Sequence, residues 1–321
     1  MTNVLVMSFS HIGDAVLSTC VLEPVRALYA PARVTYLVGP APASLLRGQP
    51  GIDDVCVYLR ATHGGVAGRA RLVSELRACS FDIVVDLKDA LYSRLFGTRR
   101  VGLRDRGRVH AVDRYLRAIE AVGADVRHAR PTLTPTADEA RVADAWLAAN
   151  GDAAITMHLG GGWEYKLWPP QRFAEVADLL SRDHGAPVVL LAGPDDDARV
   201  AAFAEAATVP HAVARGMSLR EVAAIIAGCD LHIGNDTGPM HMAAALGTPV
   251  LALFEPTDEV RSGPYGVGHT VLRSDLDLGC NPCHPGKAGA CGLGYCKPLH
   301  AISVAQVVDA AAARLRRGQA T

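Results

Sequence analysis

The sequence predicts an α/β protein built on parallel sheets and divided into two doubly wound domains, and three observations carry that expectation. Apolar strand-like runs alternate with Ala-, Leu- and Arg-rich helical stretches along nearly all of the 321 residues. Runs such as Val250 to Phe254 are continuously apolar, as expected of strands covered on both faces. A stretch of linker composition, Arg127 to Thr136 with Pro131 and Pro135, lies near the middle and divides the chain into domains 1–150 and 151–321.

Composition narrows the functional classes. Half of the residues are apolar, enough for a core in each domain, and no apolar span reaches the 18 residues of a membrane helix. The first ten residues read as a strand and not as a charged leader with an apolar core, which argues against a secretory signal and for the cytoplasm. Net charge is −1, divided as +4 over residues 1–150 and −5 over the remainder. The basic excess lies between Arg94 and Arg117 and could face an anionic acceptor or a membrane surface, with a solvated arginine surface as the ordinary alternative. Aromatic residues that would stack bases are missing there, so nucleic acid is not the expected partner. Only four of the 32 basic residues are lysines, Lys88, Lys166, Lys287 and Lys297, so each marks a place where a compact point charge differs from the guanidinium fork.

In the first domain Val4 to Ser8 form a strand, followed by a loop through Ile12-Gly13-Asp14 and a helix from about Ala15 to Tyr29. Asp14 thus stands at the carboxyl end of a first parallel strand, where ligands gather in open α/β sheets. It also suits a helix dipole with no ligand at all. Gly13 permits close backbone approach. Strands follow at Arg33 to Val38 and Val55 to Leu59, then a helix from about Ala67 to Cys79 and a strand from Ile83 to Leu87. Asp86 and Lys88 end that strand; they could bind an acceptor together with Arg94, or pair with each other or with Arg94. A helix near Val112 to Val122 closes the domain, and Ala137 to Ala149 form a helix at the junction.

The second domain repeats the plan. A strand from Ala154 to His158 runs into Leu159-Gly160-Gly161-Gly162-Trp163, whose glycines let backbone amides approach a ligand. Lys166 follows, suited to neutralise charge on a departing diphosphate, then Trp168, Pro169 and a helix from Pro170 to His184. The strand Val188 to Ala192 leads into Gly193-Pro194-Asp195-Asp196-Asp197, where an acidic residue either complements a helix dipole or holds a ribose hydroxyl. Ser218 and Glu221 form a capping box for a helix to Ala227. The strand Leu231 to Ile233 then enters Gly234-Asn235-Asp236-Thr237-Gly238, and Pro239 opens a short Ala-rich helix carrying Met240 and His241. Amides at that helix start form an anion site suited to phosphate. Asp236 would be repelled by phosphate and accepts more readily from sugar hydroxyls; its alternative role is a helix N-cap. A nucleotide sugar uses both features.

Near the end, Cys280, Cys283, Cys291 and Cys296 fall within seventeen residues in a C-x2-C-x7-C-x4-C spacing. They could chelate a tetrahedral metal such as zinc, or remain four unligated thiols. Ser303 caps a last helix to about Arg317.

Together these stretches resemble the ADP-heptose heptosyltransferase family of lipopolysaccharide-type glycosyltransferases. The matching pieces are Ile12-Gly13-Asp14 with Val16-Leu17 and Thr19, Gly161-Gly162-Trp163, Lys166 with Trp168-Pro169, Phe173, Gly193-Pro194, and Asn235 to His241 with Ala243 to Gly247. The resemblance implies a GT-B fold, two Rossmann-like domains facing across a cleft, with acceptor on the first and nucleotide sugar on the second. It implies an inverting transfer of heptose from ADP-heptose that needs no metal or cofactor, completed by domain closure. By position, Asp14 is then the general base, Lys166 stabilises the leaving diphosphate, and Asp236, Thr237 and Gly238 contact heptose and phosphates. Gly13, Gly161, Gly162, Trp163, Gly193, Met240 and His241 complete the expected sugar-donor site, and Lys88 and Arg94 the acceptor site. Family members often carry glutamine where this chain has Lys88, which keeps a lipid-linked sugar, a protein side chain and a small metabolite open as acceptors. Part of the family has a similar cysteine cluster, in one branch binding iron. Alternatives retained are a GT-B enzyme with another nucleotide sugar and a non-catalytic nucleotide-sugar-binding protein.

Overall fold

The computed structural model describes residues 1–8, 11–96, 98–103, 107–276, 278–279, 283 and 292–318, with side chains to 315. The chain forms two compact units, Met1–Thr134 and Pro135–Thr321. The first holds five parallel strands, β1 (Thr2–Met7), β2 (Ala32–Val38), β3 (Asp54–Val57), β4 (Ile83–Asp86) and β5 (Arg99–Gly102), in the order β3-β2-β1-β4-β5. The second holds six, β6 (Ile155–His158), β7 (Val188–Ala192), β8 (Ala212–Arg215), β9 (Leu231–Asn235), β10 (Val250–Leu253) and β11 (Thr270–Leu272), in the order β11-β10-β9-β6-β7-β8. This is the expected doubly wound design, twice over.

In both units the chain begins at a central strand, builds outward to one edge, and returns to add strands on the other side. The order reverses between β1 and β4 and again between β6 and β9. Loops leaving the carboxyl ends of those pairs diverge, opening a crevice at the switch point of each sheet. Asp14 and Lys88 follow β1 and β4; the Gly160–Gly162 run and Asp236–Gly238 follow β6 and β9.

Packing explains why the central strands were legible. Val4, Leu5, Val6 and Met7 of β1, Val84 and Val85 of β4, and Leu251 and Leu253 of β10 have no exposed surface, and each such side chain stabilises the fold by about 1.5–3 kcal/mol. The strands β5, β8 and β11 are absent from the expectation. They are three or four residues long and each forms a sheet edge, with few buried side chains and no continuous apolar run to read.

Two further expectations are corrected. The single helix over Ala15 to Tyr29 is instead a helix Ile12–Ser18, a 3-10 turn Thr19–Val21 and a second helix Leu22–Leu28. Restarting at Leu22 puts Pro24 in a first turn, where its missing N–H costs nothing. The hydroxyls of Ser18 and Thr19 meanwhile bond back to Ala15 and Val16 carbonyls at 2.6 and 2.8 Å. The second difference is the unit boundary, which falls at Thr134/Pro135 and not at 150. The helix Ala137–Ala149 belongs to the second unit: Glu139 pairs with Arg220 of the helix Leu219–Ala227, and Leu147 packs so closely on Gly228 that an added Cβ would lie 2.8 Å from it.

Candidate active site

The second unit's site is assembled from three loops that meet at the β6/β9 switch point. Asn235 ends β9 fully buried and ties two of them together: its Oδ1 accepts the Trp168 amide at 3.0 Å and its Nδ2 donates to the Leu159 carbonyl at 3.2 Å. Trp168 is itself buried, edge-on to Phe173 with centroids 5.0 Å apart, and its indole N–H donates to the Ile302 carbonyl at 3.2 Å. A fixed Trp168 sets the short 3-10 turn Glu164–Lys166 before it, and that turn delivers Lys166 to Asp236. The ammonium lies 2.5 Å from Asp236 Oδ2. The Asp236 side chain is 4% exposed and the Lys166 side chain 23%, so the pair sits in a partly desolvated place where charge interactions are strong.

Asp236 does not act as the helix N-cap. The N-cap of Gly238–Leu246 is Thr237, and no side chain caps that helix. The Asp236 carboxylate instead takes Lys166 and the Thr257 hydroxyl, the latter at 2.7 Å, on Oδ2; Oδ1 lies 3.9 Å from His241 Nε2. The helix start therefore presents uncapped amides at the positive end of the dipole, with a cation-neutralised carboxylate beside them. Met240, expected in the sugar-donor site, is wholly buried, backbone included, and presents no surface at this helix start.

A second network braces the loops from below. His158, the last residue of β6, has Nδ1 3.1 Å from Thr237 Oγ1 and Nε2 3.5 Å from Asp196 Oδ2. Asp196 also accepts the Gly193 amide at 2.8 Å. Burial pushes the Asp196 carboxyl up, but the His158 hydrogen bond and charge, the Gly193 amide and Arg199 outweigh it and hold the group below the usual carboxylate range. Among the three consecutive aspartates, Asp196 is thus spent on the loop, Asp197 pairs with Arg215, and Asp195 is exposed. The neighbouring glycines divide by space. A Cβ on Gly160 would strike Asp196 Oδ1 at 1.9 Å and one on Gly161 would meet Thr237 Cγ2 at 2.8 Å, whereas Gly162 faces open space. Trp163 is half-buried with its ring 5.9 Å from Tyr165.

At the β1/β4 switch point of the first unit, Gly13 and Asp14 occupy the first turn of Ile12–Ser18, whose N-cap His11 makes no side-chain cap. Lys88 lies over the Tyr58 ring, 5.4 Å from its centroid. Burial lowers the Lys88 pKa, while the negative charges of Asp86 and Asp14 work to raise it. Burial also drives the Tyr115 hydroxyl up, and Asp14 adds to that shift. The Asp14 charge therefore acts on both Lys88 and Tyr115. Asp86 forms its ion pair with Arg100, at 2.9 Å, and not with Lys88 or Arg94. Arg94 is exposed on the 3-10 turn Leu91–Phe96.

Of the cysteine cluster, Cys280 and Cys291 lie outside the described residues. Cys296 is buried as N-cap of Lys297–Ala301, and the Cys283 amide donates to the Pro256 carbonyl at 2.8 Å. Among the described residues no three metal-ligating side chains converge.

The residues that sequence reasoning passed over are His158, Thr257 and the bracing roles of Asn235 and Asp196. The signal available for His158 was its place: a polar residue ending an apolar strand, two residues before the glycine run that starts at Gly160.

Two Rossmann-like parallel sheets with polar loops at both switch points match the GT-B architecture. Residues 94–287, more than half of the chain, match the model of glycosyltransferase family 9 (heptosyltransferase), and the chain belongs to that family. It is therefore a glycosyltransferase. It is 28% identical to lipopolysaccharide heptosyltransferase 3 of Escherichia coli K12 over 284 residues, 79% of this chain and 82% of that one. Among solved structures it resembles the family 9 glycosyl transferase of Veillonella parvula, at 26% identity and TM-score 0.85, covering 98% of each chain. It also shares the fold of the E. coli ADP-heptose LPS heptosyltransferase II, at 22% identity and TM-score 0.80, covering 99% of this chain and 100% of that one.

Proposed function

We propose that this glycosyltransferase moves heptose from ADP-heptose to an acceptor hydroxyl with inversion at the anomeric carbon. The observation that carries the reading is Lys166 held on Asp236 beside the uncapped start of Gly238–Leu246. One element of that trio suits each part of a nucleotide sugar. The amide of Gly238 and the Lys166 ammonium take the diphosphate, and Asp236 accepts from sugar hydroxyls through the oxygen that Lys166 and Thr257 leave over. Gly161, Gly162, Trp163 and Gly193 border the same switch point and serve the nucleotide, with His241 beside Asp236. The names of the relatives, an ADP-heptose enzyme among them, support the choice of sugar donor.

In the reaction, the acceptor oxygen attacks the anomeric carbon as the bond to the diphosphate oxygen breaks. ADP leaves with the electron pair and the acceptor proton passes to Asp14. Lys166 and the helix amides bear the charge that grows on the leaving oxygen, and no metal or cofactor enters the chemistry. The first unit, with Asp14, Lys88 and Arg94, serves the acceptor. We take that acceptor to be a lipid-linked sugar of the lipopolysaccharide inner core, which the names of the relatives favour. Work on such an acceptor places the enzyme in the cytoplasm at the inner membrane face. No described helix is long and apolar enough to cross a membrane.

The testing experiment incubates the purified protein with ADP-heptose, ADP-glucose and common UDP-sugars, following thermal shift and nucleotide release. Selective stabilisation by ADP-heptose is expected. An equal or larger response to a UDP-sugar would overturn the choice of sugar donor, and an anomeric NMR signal of retained configuration would overturn inversion.

A further inference from the structure

Asp236 Oδ2 accepts from two groups of very different mobility. Lys166 reaches it at 2.5 Å from the short 3-10 turn Glu164–Lys166, with a side chain that still meets solvent. An ammonium on so long and flexible a stem re-aims readily. Thr257 reaches the same oxygen at 2.7 Å by a hydroxyl on a short β-branched side chain, which is stiff. The backbone on both sides of Thr257 is fixed as well. Before it, the Phe254 amide donates to the Leu272 carbonyl at 2.9 Å and the Pro256 carbonyl accepts the Cys283 amide at 2.8 Å. Between those two, the buried Glu255 carboxylate accepts the Arg273 guanidinium at 3.2 and 3.1 Å. After it, the buried Asp258 accepts the Val260 amide at 3.2 Å as N-cap of Glu259–Ser262. A diphosphate entering beside Lys166 offers the ammonium more charge and more acceptor oxygens than one carboxylate does. It offers Thr257, whose hydroxyl is already committed, far less.

We infer that Thr257 is a positioning residue for the sugar: Lys166 rests on Asp236 until a diphosphate draws it off, and the Thr257 hydroxyl then holds the carboxylate where it stands. The inference rests on the reading of these loops as the sugar-donor site, and deepens it by giving the two groups on Oδ2 separate tasks. Without Thr257, the departure of Lys166 would leave a buried carboxylate with an unsatisfied oxygen, and the side chain would turn to follow the ammonium. With Thr257 bonded to Oδ2, Oδ1 keeps its place on the side of His241, 3.9 Å from Nε2, and is presented to a sugar hydroxyl in one orientation. Loss of the Thr257 hydroxyl is therefore felt by the sugar and not by the nucleotide. A residue that only anchored the loop after β10 would affect both together.

The test uses the full chain and compares the binding of ADP with that of ADP-heptose by calorimetry. In Thr257→Val, which keeps the shape and removes the hydroxyl, ADP-heptose is expected to bind about tenfold more weakly, as for a lost hydrogen bond to a charged group, while ADP stays within about twofold of the parent. Thr257→Ser, which returns the hydroxyl, should recover most of that affinity. Equal losses for the two ligands in Thr257→Val overturn the inference, because they mark a loop displaced as a whole, and so does an unchanged affinity for ADP-heptose. A crystal structure of the parent with ADP gives a reading that needs no variant. Lys166 Nζ is expected on the diphosphate with Thr257 Oγ1 still bonded to Asp236, and Lys166 remaining on Asp236 overturns the inference. If the parent binds ADP and ADP-heptose equally well, the reading of Asp236 as a sugar contact fails by itself. The ADP complex then still decides whether Lys166 and Thr257 divide the carboxylate in this way.

Discussion

Asp86 and Asp236 stand at corresponding places in the two sheets, at the carboxyl ends of β4 and β9 beside the switch points, and both are buried. Their surroundings differ. Asp86 accepts the amides of Lys88 and Ala90 at 3.0 and 2.9 Å, the Ser93 hydroxyl at 2.6 Å and the Arg100 guanidinium at 2.9 Å, so both of its oxygens are engaged within its own unit. Asp236 receives Lys166 and Thr257 on one oxygen and, among the described residues, has His241, 3.9 Å away, near the other. A buried carboxylate with its acceptor capacity filled closes a loop and stabilises the fold. One with capacity left, and a cation that still reaches solvent, is equipped to take a ligand.

The largest effect is expected away from both. Asp14→Asn should cut turnover by about 10²- to 10⁴-fold through loss of the base, with the urea midpoint and ADP affinity held; full activity would remove Asp14 from that role. The comparison itself is tested by truncating each carboxylate. Asp86→Ala strips Arg100 of a buried partner and should cost about 3–5 kcal/mol of unfolding free energy. Asp236→Ala should cost less, about 1–3 kcal/mol, while abolishing stabilisation by ADP-heptose. Equal stability losses at the two positions would erase the distinction between closed and open carboxylates.

A smaller effect sharpens the same point at the glycine run. Gly160→Ala pushes Asp196 off its seat and should destabilise by about 1–3 kcal/mol, whereas Gly162→Ala, with nothing near its Cβ, should stay within about 0.5 kcal/mol on urea unfolding. Reversal of that order would mean that the brace through Asp196 does not hold the loop. The smallest effect is one of pH. Arg220 pulls the Glu139 carboxyl down from about 4.5 to about 2 by its hydrogen bond, against burial and with help from the Thr136 amide. Because the folded value lies below the unfolded one, the pair's contribution is full above that window and fades as pH falls through it. Arg220→Met should flatten the stability–pH curve between those two values; an unchanged slope would mean that the pair makes no net contribution.

The long elements were legible because their signals are local. A two-sided apolar run marks a central parallel strand, and the Ser218–Glu221 and Thr136–Glu139 boxes mark helix starts whatever surrounds them. Three of the four edge strands, β5, β8 and β11, escaped because an edge needs little apolar surface, while β3 carried enough of an apolar run to be read. In each unit the polar residues in the loops and first turns after central strands stood out, Asp14 in the first and Lys166 and Asp236 in the second, whereas His158 and Thr257 carried no pattern that tells a residue bracing those loops from any other polar residue.

By itself the sequence determined the two parallel-sheet domains, the glycine and acidic loops at their carboxyl ends, and the family motif, all properties of contiguous stretches. Tertiary structure alone decided the partners. Lys166 meets Asp236 across 70 residues and His158 meets Thr237 across 79, because the β6/β9 register sets His158 opposite Gly234 and brings both loops to one switch point. A charge carries no record of its partner until strand pairing has placed the two within reach. For that reason Asp86 could be read as a neighbour of Lys88 while the folded chain gives it to Arg100.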